Sequence, residues 1–106
     1  MVKTPEGKVK DAVKKVLDKH GVYYFMPVQA GYGKPGLDFH CIHKGRGFCI
    51  ETKAPGKKPT PRQLNTMTDI RSALGVVFLI DGTDNTHTTE LLDEWLRESL
   101  TLTPTL

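Results

Sequence analysis

The sequence predicts one α/β domain in the order helix, three strands, helix, strand, helix, with a central mixed sheet of about four strands flanked by helices. Three observations carry this. Two stretches with apolar residues at helical spacing each begin with Thr-Pro, at Thr4-Pro5 and Thr60-Pro61. Two β-rich runs flank Lys44-Gly45-Arg46-Gly47, the signal of a hairpin. Val76-Val77-Phe78-Leu79-Ile80 is a continuous apolar run, as expected of a strand covered on both faces.

Thr4-Pro5-Glu6 supplies a capping hydroxyl, a proline at the first helical position and an acid in the first turn. Val9, Ala12, Val13, Val16 and Leu17 then recur on one face until His20-Gly21 stops the helix. Glu6 precedes Val9 and Val13 on that same stripe, where its carboxylate either simply favours the helix dipole or points over the sheet toward Asp38 and Glu51. Val22 to Val28 reads as a strand ending near Pro27. Gln29 to Gly36 is a glycine-rich connector in which Tyr32 and Lys34 are the candidate substrate contacts. After Lys53, Ala54 to Pro59 breaks the sheet, and Thr60-Pro61-Arg62-Gln63 opens the second helix with a capping-box pattern. Leu64, Met67, Ile70 and Leu74 form its expected buried stripe, ended by Gly75. Asp81 to Asn85 turns the chain into a last amphipathic helix bearing Leu91, Leu92, Trp95, Leu96 and Leu100, and residues 101–106 are expected to fray.

The chemistry centres on the hairpin. If its loop is Lys44-Gly45, His43 faces Arg46 and Asp38 falls opposite Glu51. Side chains alternate along a strand, so Asp38, His40 and Ile42 share a face with Cys49, Glu51 and Lys53. A loop longer by two residues sets Asp38 opposite Lys53 and keeps the three charges together. Carboxylates so placed repel each other, and a hard divalent cation such as Mg²⁺ or Mn²⁺ offsets that repulsion. The competing reading is a solvated amphipathic hairpin; the apolar neighbours Phe48 and Ile50 favour the metal site. His40 shares the active face, and a packed sheet histidine is preferred there over a ligand.

At 106 residues, 38% apolar and 25% charged, the chain is ordinary for one soluble domain, residues 1–106. It carries no apolar run long enough for a membrane helix and no signal-peptide core, so a location in the cytoplasm, or its host's equivalent, is expected. Cys41 and Cys49 fall on opposite faces of the hairpin, which disfavours both a disulfide and a zinc site with His40 and His43. The net charge is +3, and Lys34, Lys44, Arg46, Lys57, Lys58 and Arg62 lie in turns around the hairpin, an expected attraction for a nucleic acid.

Gly36-Leu37-Asp38, then Phe48-Cys49-Ile50-Glu51-Thr52-Lys53-Ala54, then Pro61-Arg62-Gln63, resembles the PD-(D/E)xK nuclease superfamily. The likeness is to its compact VRR-NUC branch, which stands alone in phages and is fused to larger DNA-repair nucleases. It spans Glu6 to about Ile80, and Leu37 replaces the proline of the superfamily name. The resemblance implies a restriction-endonuclease-like core. It implies that Asp38, Glu51 and the Thr52 carbonyl bind Mg²⁺ or Mn²⁺, with Glu6 near the metal, directly or through water. Lys53 would orient or polarise the attacking water, and Gln63 would match the family's glutamine on the next helix. The expected function is DNA phosphodiester hydrolysis, with branched or four-way DNA and a homodimer suggested by stand-alone relatives. The alternatives are a non-catalytic nucleic-acid-binding module and a nuclease acting on RNA.

Overall fold

The computed structural model describes residues 3–28, 34–83 and 87–98. The elements are α1 (Pro5–Lys19), β1 (Tyr23–Phe25), β2 (Phe39–His43), β3 (Arg46–Thr52), α2 (Pro61–Ser72), β4 (Val76–Ile80) and α3 (Thr89–Arg97). They form one four-stranded sheet in the order β1-β2-β3-β4, antiparallel except for the parallel pair β3 and β4. The mixed sheet and the element order match the sequence expectation.

Local chemistry explains most boundaries. The Thr4 hydroxyl accepts from the Gly7 N–H, capping α1. The Thr60 hydroxyl and the Gln63 side chain form the expected reciprocal box on α2. Lys44 and Gly45 both take positive φ, 51° and 79°, as a two-residue hairpin loop matched to strand twist demands. His43 therefore pairs with Arg46 and Phe39 with Ile50, which brings Asp38 next to Glu51 at the sheet's end.

One face of the sheet carries the core. Val13 and Leu17 of α1, Leu92 and Leu96 of α3, and Phe39, Cys41, Phe48, Ile50 and Ile80 of the sheet are all buried there. Asp93 on α3 bonds the His20 ring at 2.6 Å and pairs with Lys19 and Arg97, tying the end of α1 to α3.

The opposite face departs from the sequence reading in three ways. β1 spans three residues rather than Val22 to Val28, because Pro27 has no N–H to extend the ladder. Of the stripe expected on α2, Met67 is buried and Ile70 half-buried, while Leu64 and Leu74 are exposed; the helix packs mainly beside β4. Leu74, 92% exposed, takes a left-handed φ of 65° after the helix. Gly75 serves a close approach instead, since a Cβ there would stand 2.6 Å from Ile70 Cγ2. Finally, β4 lies at the sheet edge and its first residue, Val76, stays exposed, although α2 covers one face of the strand and Trp95 of α3 packs on Phe78 on the other, as expected. The consequence is an apolar groove of about 350 Å³ lined by Tyr23, Phe25, Ile42 and Val76. Tyr23, Ile42 and Phe25 keep 69%, 56% and 53% of their surface in solvent.

Candidate active site

Glu51 comes from the buried end of β3 and is 3% exposed. Burial, then the nearby negative charge of Asp38, pushes its carboxyl up to about 7; Glu6 adds in the same direction and Lys53 opposes. Its nearest cation is Lys53, whose Nζ lies 3.9 Å from Oε2. That is an ion-pair distance, longer than a hydrogen bond.

Asp38 precedes β2 by one residue, and its two oxygens do different things. Oδ2 accepts from the Thr52 N–H at 2.9 Å and from the Thr52 hydroxyl at 2.6 Å. Oδ1 lies 3.9 Å from Nζ of Lys10. An extended residue turns its N–H and C=O to the same strand edge, so the Thr52 carbonyl is directed toward the Asp38 side of β3. Backing this turn, His40 Nε2 accepts from the Leu37 N–H at 3.3 Å, its other nitrogen meets Cys49 Sγ at 3.7 Å, and Phe25 stacks on the ring. His40 is thus a packed sheet histidine that braces the segment entering Asp38.

A cleft of about 210 Å³ opens at this end of the sheet, lined by Asp38, Glu51, Arg62, Gln63 and Thr66. Thr66 is held by a 3.0 Å bond from its hydroxyl to the Arg62 carbonyl. Gln63 lines the cleft, and its Oε1 accepts from the Thr60 N–H in the helix cap.

The donor set fits a hard divalent cation. Two adjacent carboxylates, one nearly fully buried and reluctant to ionise beside the other, form an oxygen site in which each has a lysine at ion-pair distance, 3.9 Å, and neither lysine is in hydrogen-bond contact. Among the described residues, no three His, Cys, Asp or Glu side chains gather at one point. Glu6 acts on Glu51 through its field.

The basic residues do not form one rim, which corrects the sequence reading. Arg62 lines the cleft, and Lys57 and Lys58 are exposed on the loop between Lys53 and α2. Lys34 is exposed before Asp38, whereas Tyr32 lies outside the described residues. Lys44 and Arg46 sit at the other end of the hairpin, because β3 runs from Arg46 toward Glu51 at about 3.3 Å per residue, roughly 17 Å. Arg46 is also committed elsewhere: its guanidinium lies 3.9 Å from the Trp95 ring centre and bonds the Trp95 carbonyl. Sequence reasoning missed Lys10 and the side-chain role of Thr52. Lys10 was readable, since it follows Glu6 by four residues and so shares its helix face.

Neither a protein-family model nor a curated protein matches the chain. A solved structure described as a VRR_NUC domain does, with a TM-score of 0.70 and 20% identity, covering 92% of this chain and 99% of that one. The chain has the VRR-NUC fold. At the end of the antiparallel β2-β3 pair, Asp38 and Glu51 line one cleft, and Lys53 lies at ion-pair distance from Glu51.

Proposed function

We propose that this chain is a metal-dependent endonuclease that hydrolyses DNA phosphodiester bonds. The observation that carries the reading is Glu51, a buried carboxyl raised to about 7 beside Asp38, with Lys53 facing it in an open cleft. A pure binding module gains nothing from buried acids facing phosphate, whereas hydrolysis needs them.

Asp38, Glu51 and the Thr52 carbonyl would hold Mg²⁺ or Mn²⁺, with Glu6 reaching it directly or through water. When bound, such a cation supplies an activated water near neutral pH and Lewis-acid stabilisation of phosphate charge. Thr52 fixes the orientation of Asp38 through Oδ2. Lys53 orients the attacking water by donating from Nζ and adds positive charge where the phosphate oxygens gather negative charge. Arg62, Lys57, Lys58 and Lys34 hold the flanking backbone, and Gln63 secures the start of α2 beside the cleft.

The deciding experiment incubates labelled four-way junction, flap, single-stranded and duplex DNA, and a matched RNA, with Mg²⁺, Mn²⁺ or EDTA. Cleavage of DNA that EDTA stops, strongest on branched forms, is expected. Retention of DNA without cleavage under either metal supports the binding module instead, and cleavage confined to RNA reassigns the substrate.

The working unit is a homodimer joined across the groove of Tyr23, Phe25, Ile42 and Val76. At the exposures seen, with aromatic side chains of roughly 150–250 Å² each, this face offers on the order of 500 Å² per copy. A symmetric pair buries on the order of 1,000 Å², the lower bound for a specific interface. Phe25→Asp combined with Ile42→Asp is expected to convert a dimer to a monomer in sedimentation velocity. A wild-type monomer at micromolar concentration rules this arrangement out.

A further inference from the structure

Lys10 is the one lysine of α1 that an ion pair joins to the cleft carboxylates among the described residues, and the nuclease reading leaves it without a task. Its stem keeps it near Asp38 Oδ1 with 30% of the side chain in solvent, so the ammonium reaches both the carboxylate and the space in front of it. Arg62 of α2 lines the cleft that holds both carboxylates. Asp38 thus has a cation of α1 at ion-pair distance and one of α2 in the same cleft.

We infer that Lys10 is a substrate-binding residue that takes a backbone phosphate beside the cleaved one, so that a single nucleic-acid strand crosses the sheet's end between Arg62 and Lys10. This rests on the nuclease reading and adds the path of the substrate. The electrostatics give the reason. Asp38 Oδ2 is already satisfied by two Thr52 donors, and a divalent cation arriving at Oδ1 repels an ammonium 3.9 Å from that oxygen. Lys10 then turns outward, where phosphate is the anion within reach. Unlike Lys53, whose side chain is 15% exposed and packed beside Glu51, Lys10 has the freedom to do so.

The test measures binding of a fluorescein-labelled single-stranded DNA by anisotropy across a salt series at a fixed, saturating Ca²⁺ concentration, a divalent cation for the carboxylate site, with the strand shown intact on a gel at every point. Lys10→Gln is expected to lower the slope of log K against log salt by about one, the signature of one lost phosphate contact. Lys10→Arg retains the slope, and Lys19→Gln, which alters a lysine held by Asp93 at the far end of α1, leaves it unchanged. In Mn²⁺, Lys10→Gln raises KM about tenfold with kcat within threefold. A Lys10→Gln slope equal to wild type overturns the proposal whatever cleavage does. Failure of wild type to cut any nucleic acid sinks the nuclease reading separately, while the slope still decides the phosphate contact.

Discussion

Glu51→Gln is expected to abolish cleavage and at the same time to stabilise the metal-free protein. Removing a charged ligand withdraws several kcal/mol of charge stabilisation from the reaction, a loss on the order of 10³-fold in rate. Stability moves the other way because the carboxylate is 3% exposed and faces Asp38. Its folded value of about 7 lies above the ordinary value of 4.5, so between these pH values the folded state holds a proton that the unfolded chain has released. The metal-free protein therefore loses stability as pH rises through that window, by at most about 3 kcal/mol at roughly 1.4 kcal/mol per unit. Glutamine removes that slope, with a net gain at pH 8 of about 1 to 2 kcal/mol because its amide is still buried. Thermal unfolding from pH 4.5 to 8, with and without Mn²⁺, checks this. Wild type should recover stability with Mn²⁺ and the variant should not. A wild-type protein whose stability is flat across the window, or a variant that cuts normally, contradicts the assignment.

The same residues explain what was legible in the sequence. The clustering of Asp38, Glu51 and Lys53 was legible under either hairpin loop; the positive φ of Lys44 and Gly45 decides for the two-residue loop, which sets Asp38 beside Glu51. Helix starts were legible because capping is local. What failed depended on contacts distant in sequence. Leu64 and Leu74 have the right spacing for a buried stripe, yet α2 covers only part of its sheet face. Val76 to Ile80 is covered on both faces as its apolar run implies, except that Val76 at its start stays exposed. Arg46 reads as a free cation in a turn, and nothing near it in sequence announces Trp95, which takes its guanidinium. Composition identifies an apolar or charged residue; only the packing of other elements determines whether it is covered.

Thr52→Val separates the two roles that this residue can play. The resemblance assigns its carbonyl to the metal, which any side chain preserves. The structure adds the hydroxyl, 2.6 Å from Asp38 Oδ2, and valine removes only that while keeping the β-branch suited to a strand. Loss of a bond to a charged group is expected to cost about 1.5 to 3 kcal/mol of stability. Asp38 then has one fixed donor, the Thr52 N–H, in place of two, and its carboxylate can rotate about that contact. Residues that orient a metal ligand typically contribute about 10- to 100-fold in metal affinity or activity, and a loss of that size is expected in Mn²⁺ calorimetry and in cleavage. Thr52→Ser, which restores the hydroxyl, should recover most of both. If Thr52→Val binds Mn²⁺ like wild type, the main chain alone positions Asp38 and the hydroxyl serves only the fold. If Thr52→Ser fails with it, the lost methyl rather than the lost hydrogen bond is responsible.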